Sequence, residues 1–225
     1  MLGLGALIGG FISAVAPVIG QALSTVATFV ATKLPTILSV AATCVSAIST
    51  IVTSVGEMLK IAPPGEQPAE LGAKTMQEGV RPRQEGELTQ EYLDYLRTVP
   101  LDKEKFDKMT PEEKLGCEVV GDAMLAGAIG ENTGVELSGD FIMALPKLNM
   151  GAQAVYNLIK SFSDNGINNM SQFNDYLAGD IANEETAMKV GDAVKSAIST
   201  TSPEMSSSDI QHEIIAMRQA YKAED

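Results

Sequence analysis

Charge is almost missing from the first 60 positions of this 225-residue chain: only Lys33, Glu57 and Lys60 carry it there. Histidine occurs once, cysteine twice and tryptophan never. Each scarcity excludes something. One His leaves a histidine-rich metal site or a His-based triad short of residues. Two Cys exclude a disulfide-dense mini-protein. Basic residues are few, 16 Lys+Arg against 29 Asp+Glu, for a net charge of -13. That balance argues against nucleic-acid binding, because a phosphate backbone selects a basic stripe. The whole excess of acid falls beyond residue 60, so two physical regimes share one chain. The length allows one or two domains.

The uncharged part comes first. Residues 2–32 carry no charge, and after Lys33 residues 34–56 carry none. A helix crosses a bilayer core with ~20 apolar residues. At about 1.5 Å per residue the first run reaches ~46 Å, too long for one straight span. Pro17 offers a kink near its middle, and Pro35 marks a corner after Lys33. The spacing predicts a helical hairpin over 1–60: a long kinked helix, a short corner, and a helix over about 36–60. A cleavable signal peptide is not expected, because no Lys or Arg precedes residue 33 and the apolar stretch is too long.

The second run has two faces. Ile37, Ala41, Cys44, Ile48, Ile51 and Val55 are separated by 4, 3, 4, 3 and 4, a heptad seam. Ser39, Thr43, Ser46, Thr50 and Thr53 repeat that rhythm two residues later, about 200° round the helix. The first run shows the same rhythm in Ile8, Ile12, Val15, Ile19, Ala22, Val26 and Phe29. A thinner stripe of small residues follows Gly10, Ser13, Pro17 and Gly20, and Gly5 with Gly9 makes one GxxxG. Small and hydroxyl residues lower the drive for insertion and favour close helix–helix contact. Val, Ile and Thr fill about half of 36–55, yet the spacing is not that of strands. Three arrangements fit: two ordinary spanning helices, a multi-chain bundle held in a particle before entering a membrane, or the buried core of a helical protein. The last needs a partner surface around both helices, and the acidic remainder looks unsuited to supply it.

Residues 61–87 change character. Pro63, Pro64, Pro68 and Pro82 mix with Gly65, Gly72, Gly79 and Gly86, the composition of an extended linker. From 88 to 225 the pattern is amphipathic helices. Thr89 is a candidate cap for Tyr92, Leu93, Tyr95 and Leu96. Thr110-Pro111-Glu112-Glu113 is a strong start signal, with Gly130 as the expected end. Asp140 opens an apolar pattern to Phe162 that Pro146 kinks or splits, and Asp164-Asn165-Gly166 reads as a turn. Ser171, Asn183 and Ser208 are the remaining candidate caps, the last with Gln211 in a capping box. The expected class is all-α: hairpin 1–60, linker 61–87, acidic multi-helix domain 88–225.

Little chemistry is visible. His212-Glu213 lacks the second His of a zinc helix, since Ala216 stands there. Cys44 and Cys117 have no His in their segments to activate them. Asp164 to Asp175 lacks the order of a calcium loop. Glu118 and Asp122 lie one turn apart and could share a cation or a proton, although a solvated acidic face is the plainer reading. The glycines at 121, 127 and 130 form no phosphate loop. Neither an enzyme nor a cofactor or metal is expected.

The N-terminal composition, as in Val15-Ala16-Pro17-Val18-Ile19-Gly20 and Ala41-Ala42-Thr43-Cys44-Val45, resembles the hydrophobic segments of phage tape-measure and ejected internal virion proteins. It is also similar to membrane-perforating minor capsid proteins of non-enveloped viruses. The resemblance covers residues 1–60, carries no diagnostic motif and transfers no functional residue. It implies an apolar segment packaged as a helical bundle that later enters a target envelope. The expected function is a non-enzymatic, oligomeric virion or injection-particle component that penetrates a membrane. Its partners would be copies of itself, membrane lipid and particle structural proteins. The alternative is a resident integral membrane protein, in a bacterial membrane, with a two-helix anchor.

Overall fold

A computed structural model describes residues 42–223. Among them are ten helices and no strand. The helices are α1 (Ala42–Met58), α2 (Pro68–Thr75), α3 (Thr89–Thr98), α4 (Lys103–Lys108), α5 (Pro111–Thr133), α6 (Gly139–Leu148), α7 (Ala152–Asp164), α8 (Ser171–Ala178), α9 (Glu184–Thr201) and α10 (Ser207–Lys222). The all-α class therefore holds for this part. The first helix of the expected hairpin and its corner lie outside the described residues. No helix among the described residues is long and apolar enough to cross a membrane. Two compact units divide the chain, the first ending at Glu131 and the second starting at Asn132.

In the first unit α1 lies inside the fold. Val45, Ile48, Val52 and Val55 recur at helical spacing and are all buried. At its end the N–H groups of Ile61 and Ala62 donate to the Gly56 carbonyl at 2.8 and 3.1 Å, while Lys60 adopts φ 60°. That arrangement satisfies a carbonyl the helix would otherwise leave unpaired. Tyr92, Leu93 and Leu96 of α3 and Val120, Met124, Leu125 and Ile129 of α5 complete the core, all fully buried.

Residues 61–87 are not simply extended. They contain α2, which starts with Pro68 in its first turn and buries Leu71, Gly72, Ala73 and Thr75. Ile61, Ala62 and the Arg83 side chain are buried too. Arg97 of α3 binds both carboxylate oxygens of Glu66 at 2.7 Å and the Ile61 carbonyl at 2.9 Å. Gln77 donates to the Pro100 carbonyl at 3.0 Å and accepts from the Asp102 N–H at 2.6 Å. The Pro- and Gly-rich composition thus encodes tight turns between packed pieces. Gly72 and Gly121 show why glycine is needed. A Cβ at Gly72 would overlap the Cys117 carbonyl, and one at Gly121 would overlap the Pro68 carbonyl. α2 and α5 cross with their backbones touching, which only a missing side chain permits.

Helix ends follow local signals with some shifts. Thr110 and Glu113 form the expected reciprocal pair at the start of α5: the Thr110 hydroxyl accepts from the Glu113 N–H at 3.2 Å, and Glu113 accepts from the Thr110 N–H at 2.8 Å. α5 runs through Gly130 and stops at Thr133, where Gly134 takes φ 69°. The cap of α3 is Leu88, because the Thr89 side chain is drawn away to Glu131.

In the second unit Ser138 caps α6, accepting from the Phe141 N–H at 3.3 Å. The split expected at Pro146 falls three residues later, at Asn149, which takes φ 50°. The turn at Gly166 forms as expected, with φ 62°. α8 starts at Ser171 after Met170, which makes no side-chain cap; the Asn169 side chain accepts from the Ser171 N–H at 2.7 Å. Asn183 caps α9 as expected, accepting from the Thr186 N–H at 2.8 Å. The last box is Ser206 with Asp209, two residues before the expected pair. α9 packs along α7, where Ser161 donates to the Ala193 carbonyl at 2.8 Å. Phe173 meets Phe141 and Phe162 edge to face, with centroids 5.9 and 6.4 Å apart.

Candidate functional site

The residues singled out from the spacing separate sharply. Ile8, Ile12, Val15, Pro17, Ile19, Val26, Pro35, Ile37 and Ser39 lie outside the described residues, as does the side chain of Thr43. The rest of the apolar seam, Ile48, Ile51 and Val55, is buried in the core of its own unit. The cover that seemed unavailable exists because Glu91 and Asp94 of α3 and Glu113 and Glu131 of α5 are exposed, leaving apolar inner faces. Ser46 and Thr50 are exposed, and the Thr50 hydroxyl donates to the Ser46 carbonyl of its own helix at 2.8 Å. Thr53 is half-buried, and its hydroxyl oxygen is shut from solvent without a hydrogen-bond partner.

Ser49 belonged to neither stripe, yet it is the hydroxyl that faces chemistry. It sits on the buried side of α1 beside the carboxyl of Asp122 on α5. Asp122 is 2 % exposed, and neither of its oxygens has a hydrogen-bond partner. Burial raises its pKa well above the ordinary carboxylate range, the nearby Ser49 hydroxyl moderates the shift, and the charge of Glu118 adds to it. Ser49 lies close enough to influence the carboxyl but not in hydrogen-bonding geometry. The expected solvated acidic face is therefore wrong at Asp122, where α1 covers the carboxyl. Among the described residues no group of three or more His, Cys, Asp or Glu could hold a metal ion. A buried carboxyl whose pKa is raised can hold and release a proton.

A second polar cluster organises the loop before α3. Glu131 accepts from the Thr89 N–H and hydroxyl at 2.7 Å each, and pairs with Arg83 at 3.1 Å. Arg81 stacks 4.3 Å above the Tyr95 ring and 5.7 Å from that of Tyr92, and binds both oxygens of Glu87. The hydrogen bond from Arg81 is the largest cause that lowers the Glu87 pKa to about 2, and burial raises that of the Tyr92 phenol to about 12. These are structural bonds across 6 to 48 residues of chain, and composition alone could not pair them.

The remaining reactive residues are quiet. His212 is exposed on α10. Cys117 is buried and its thiol is pushed up to about 12, chiefly by burial; Cys44 is half-buried.

The second unit holds a feature that sequence reading missed. A cleft of about 210 Å³ opens among α7, α8, α9 and α10. Phe173, Leu158 and Val194 line its interior, and Met150, Met205 and Met217 contribute flexible thioethers. Glu213 is the only charged residue in its lining.

Comparison with protein-family models, with curated proteins and with solved structures gives no match. The class established for the described residues is all-α, and the chain divides into two compact units.

Proposed function

We propose that this chain is a non-enzymatic, oligomeric component of a virus-like or injection particle, whose uncharged N-terminal segment enters a target membrane. The two acidic units dock it to particle structural proteins. One observation carries this reading. Lys33 is the only charge before Glu57, and the apolar seam of α1 is already occupied inside its own unit. The membrane-active part therefore contracts from 1–60 to the first run, residues 2–32. That run has the length to span, whereas residues 34–41 do not. In water such a run must be covered by lipid or by other copies of itself, because large exposed apolar surfaces associate. Its Gly, Ser and Thr content favours close association of helices. The acidic units stay outside the lipid, since a charge at bilayer depth costs ~3 kcal/mol.

Vesicle leakage tests the reading. The full chain should release trapped dye from liposomes, and a chain beginning at residue 42 should not. Vesicle binding without leakage would transfer support to the resident-membrane-protein alternative, in which the first run is only an anchor. Failure to bind lipid at all would remove both. Ser46→Leu with Thr50→Leu adds a check on assembly. Both positions are exposed, so the unit should remain folded. If these hydroxyls pack copies against one another, bulky Leu should reduce the oligomer seen by native mass measurement while vesicle affinity persists.

A further inference from the structure

The cleft of the second unit has no place in the membrane step, and its shape and charge describe an occupant. Its volume of about 210 Å³ exceeds the roughly 150 Å³ of an engineered cavity that takes benzene, so it fits one large side chain. Its interior is apolar: Phe173, Leu158 and Val194 are each 2 % exposed or less. The hydroxyl of Thr201 is already engaged, accepting from Asn157 at 3.0 Å and donating to the Ala197 carbonyl at 2.8 Å. It is therefore occupied within the fold. Glu213 lines the cleft, is exposed, and makes no ion pair among the described residues. The unit that holds the cleft, residues 132–225, carries 13 Asp+Glu against 6 Lys+Arg.

We infer that this cleft docks a basic segment of a partner protein, which buries one large apolar side chain among the methionines and sets a Lys or Arg against Glu213. The inference rests on the reading that the acidic units dock the chain to its particle. An anchor side chain in a desolvated pocket supplies most of the energy of such contacts. Three methionines let the pocket adapt to an aliphatic or aromatic anchor, as unbranched thioethers fill irregular space. Glu213 and the acidic excess of its unit select a basic partner, speed its approach and disfavour an acidic one. A second copy of this chain, net charge -13, is a poorer match on charge than a basic partner.

The absence of tryptophan supplies the assay, because a tryptophan peptide is then the only source of indole fluorescence. The probe is a pentapeptide with a central Trp flanked by two Lys on each side, titrated with the full chain. Its counterpart carries Glu in place of Lys. The Lys peptide should shift its emission to shorter wavelength on binding, with an affinity at least tenfold above that of the Glu peptide. Ala154→Phe, which fills the cleft from α7, should abolish the shift. Glu213→Arg changes an exposed residue and should leave the fold intact. It should weaken the Lys peptide at least threefold and bring the Glu peptide up. Equal shifts with both peptides, no shift with either, or a shift unchanged by Glu213→Arg would each overturn the inference. The titration uses neither membrane nor particle, so its failure leaves the leakage result standing, and the converse holds.

Discussion

Asp122→Asn isolates the buried carboxyl. The residue is 2 % exposed with both oxygens unpartnered, and burial raises its pKa well above the ordinary range. The folded first unit thus holds a proton that the unfolded chain releases near pH 4. Stability depends on pH through the difference in bound protons, so this group stabilises the unit fully below its unfolded pKa. That contribution is lost as pH rises through the folded pKa. Ionisation in place would leave a buried charge facing only a hydroxyl and the like charge of Glu118. Asn has the same shape and never ionises. At pH 4, near the unfolded pKa, the substitution should be nearly neutral. At pH 8 it should stabilise the unit by about 1–3 kcal/mol, since the aspartate loses about 1.4 kcal/mol for each pH unit between its unfolded and its raised folded pKa and the amide loses none. Amide hydrogen exchange in α1 and α5 reads this locally in the full chain, and the variant should exchange roughly 5- to 150-fold more slowly at pH 8. Glu87, with a pKa of about 2, stays ionised at both values and does not interfere. An Asn variant destabilised equally at pH 4 and pH 8 would refute the reasoning, because it would mean that the carboxylate is charged and paired.

Other positions give sharper single outcomes. Gly121→Ala should destabilise the first unit by about 3 kcal/mol or more, since its Cβ meets the Pro68 backbone and a carbonyl cannot swing aside. Gly151→Ala, with nothing within 4 Å, should cost at most about 1 kcal/mol, and urea unfolding compares the two. Glu131→Ala should cost about 2–4 kcal/mol, because it strands the Arg83 guanidinium, whose side chain is 5 % exposed, and uncaps α3. Exchange in α3 should rise first. Cys117 should resist a disulfide reagent at pH 8 in the folded chain, since its thiol lies far from ionising, while denaturant should release it; mass spectrometry of labelled peptides distinguishes it from Cys44.

The all-α class, and many helix ends, could be read from the residues alone. Thr110 with Glu113, Asn183 and the turn at Gly166 lie where expected because each signal is a hydrogen bond or a backbone preference within four residues. Where local choices are degenerate, the reading slipped. Ser206, Ser207 and Ser208 are equivalent in composition, and the start that buries Ile214 and Met217 settles among them on Ser206. Thr89 was a reasonable cap until Glu131, 42 residues away, claimed its hydroxyl.

Burial and pairing needed the tertiary structure. The seam of α1 has the same spacing whether it meets lipid, another copy or its own unit, because periodicity records which face is apolar and not what covers it. Gly72 read as a linker glycine and Gly121 as a glycine inside a helix, and their use emerges only where two backbones touch. Asp122 and Glu118 share a helix face in the sequence, yet only Asp122 is sealed, because α1 covers one turn and not the next. The cleft beside Glu213 draws on four helices separated by up to 67 residues of chain, Met150 to Met217, and no local pattern encodes their meeting. The sequence by itself determined the charge asymmetry, the helical class and most local stops. The three-dimensional packing alone decided which apolar stripe is core, which carboxyl is buried and where a cleft opens, since each depends on surfaces far apart in the chain.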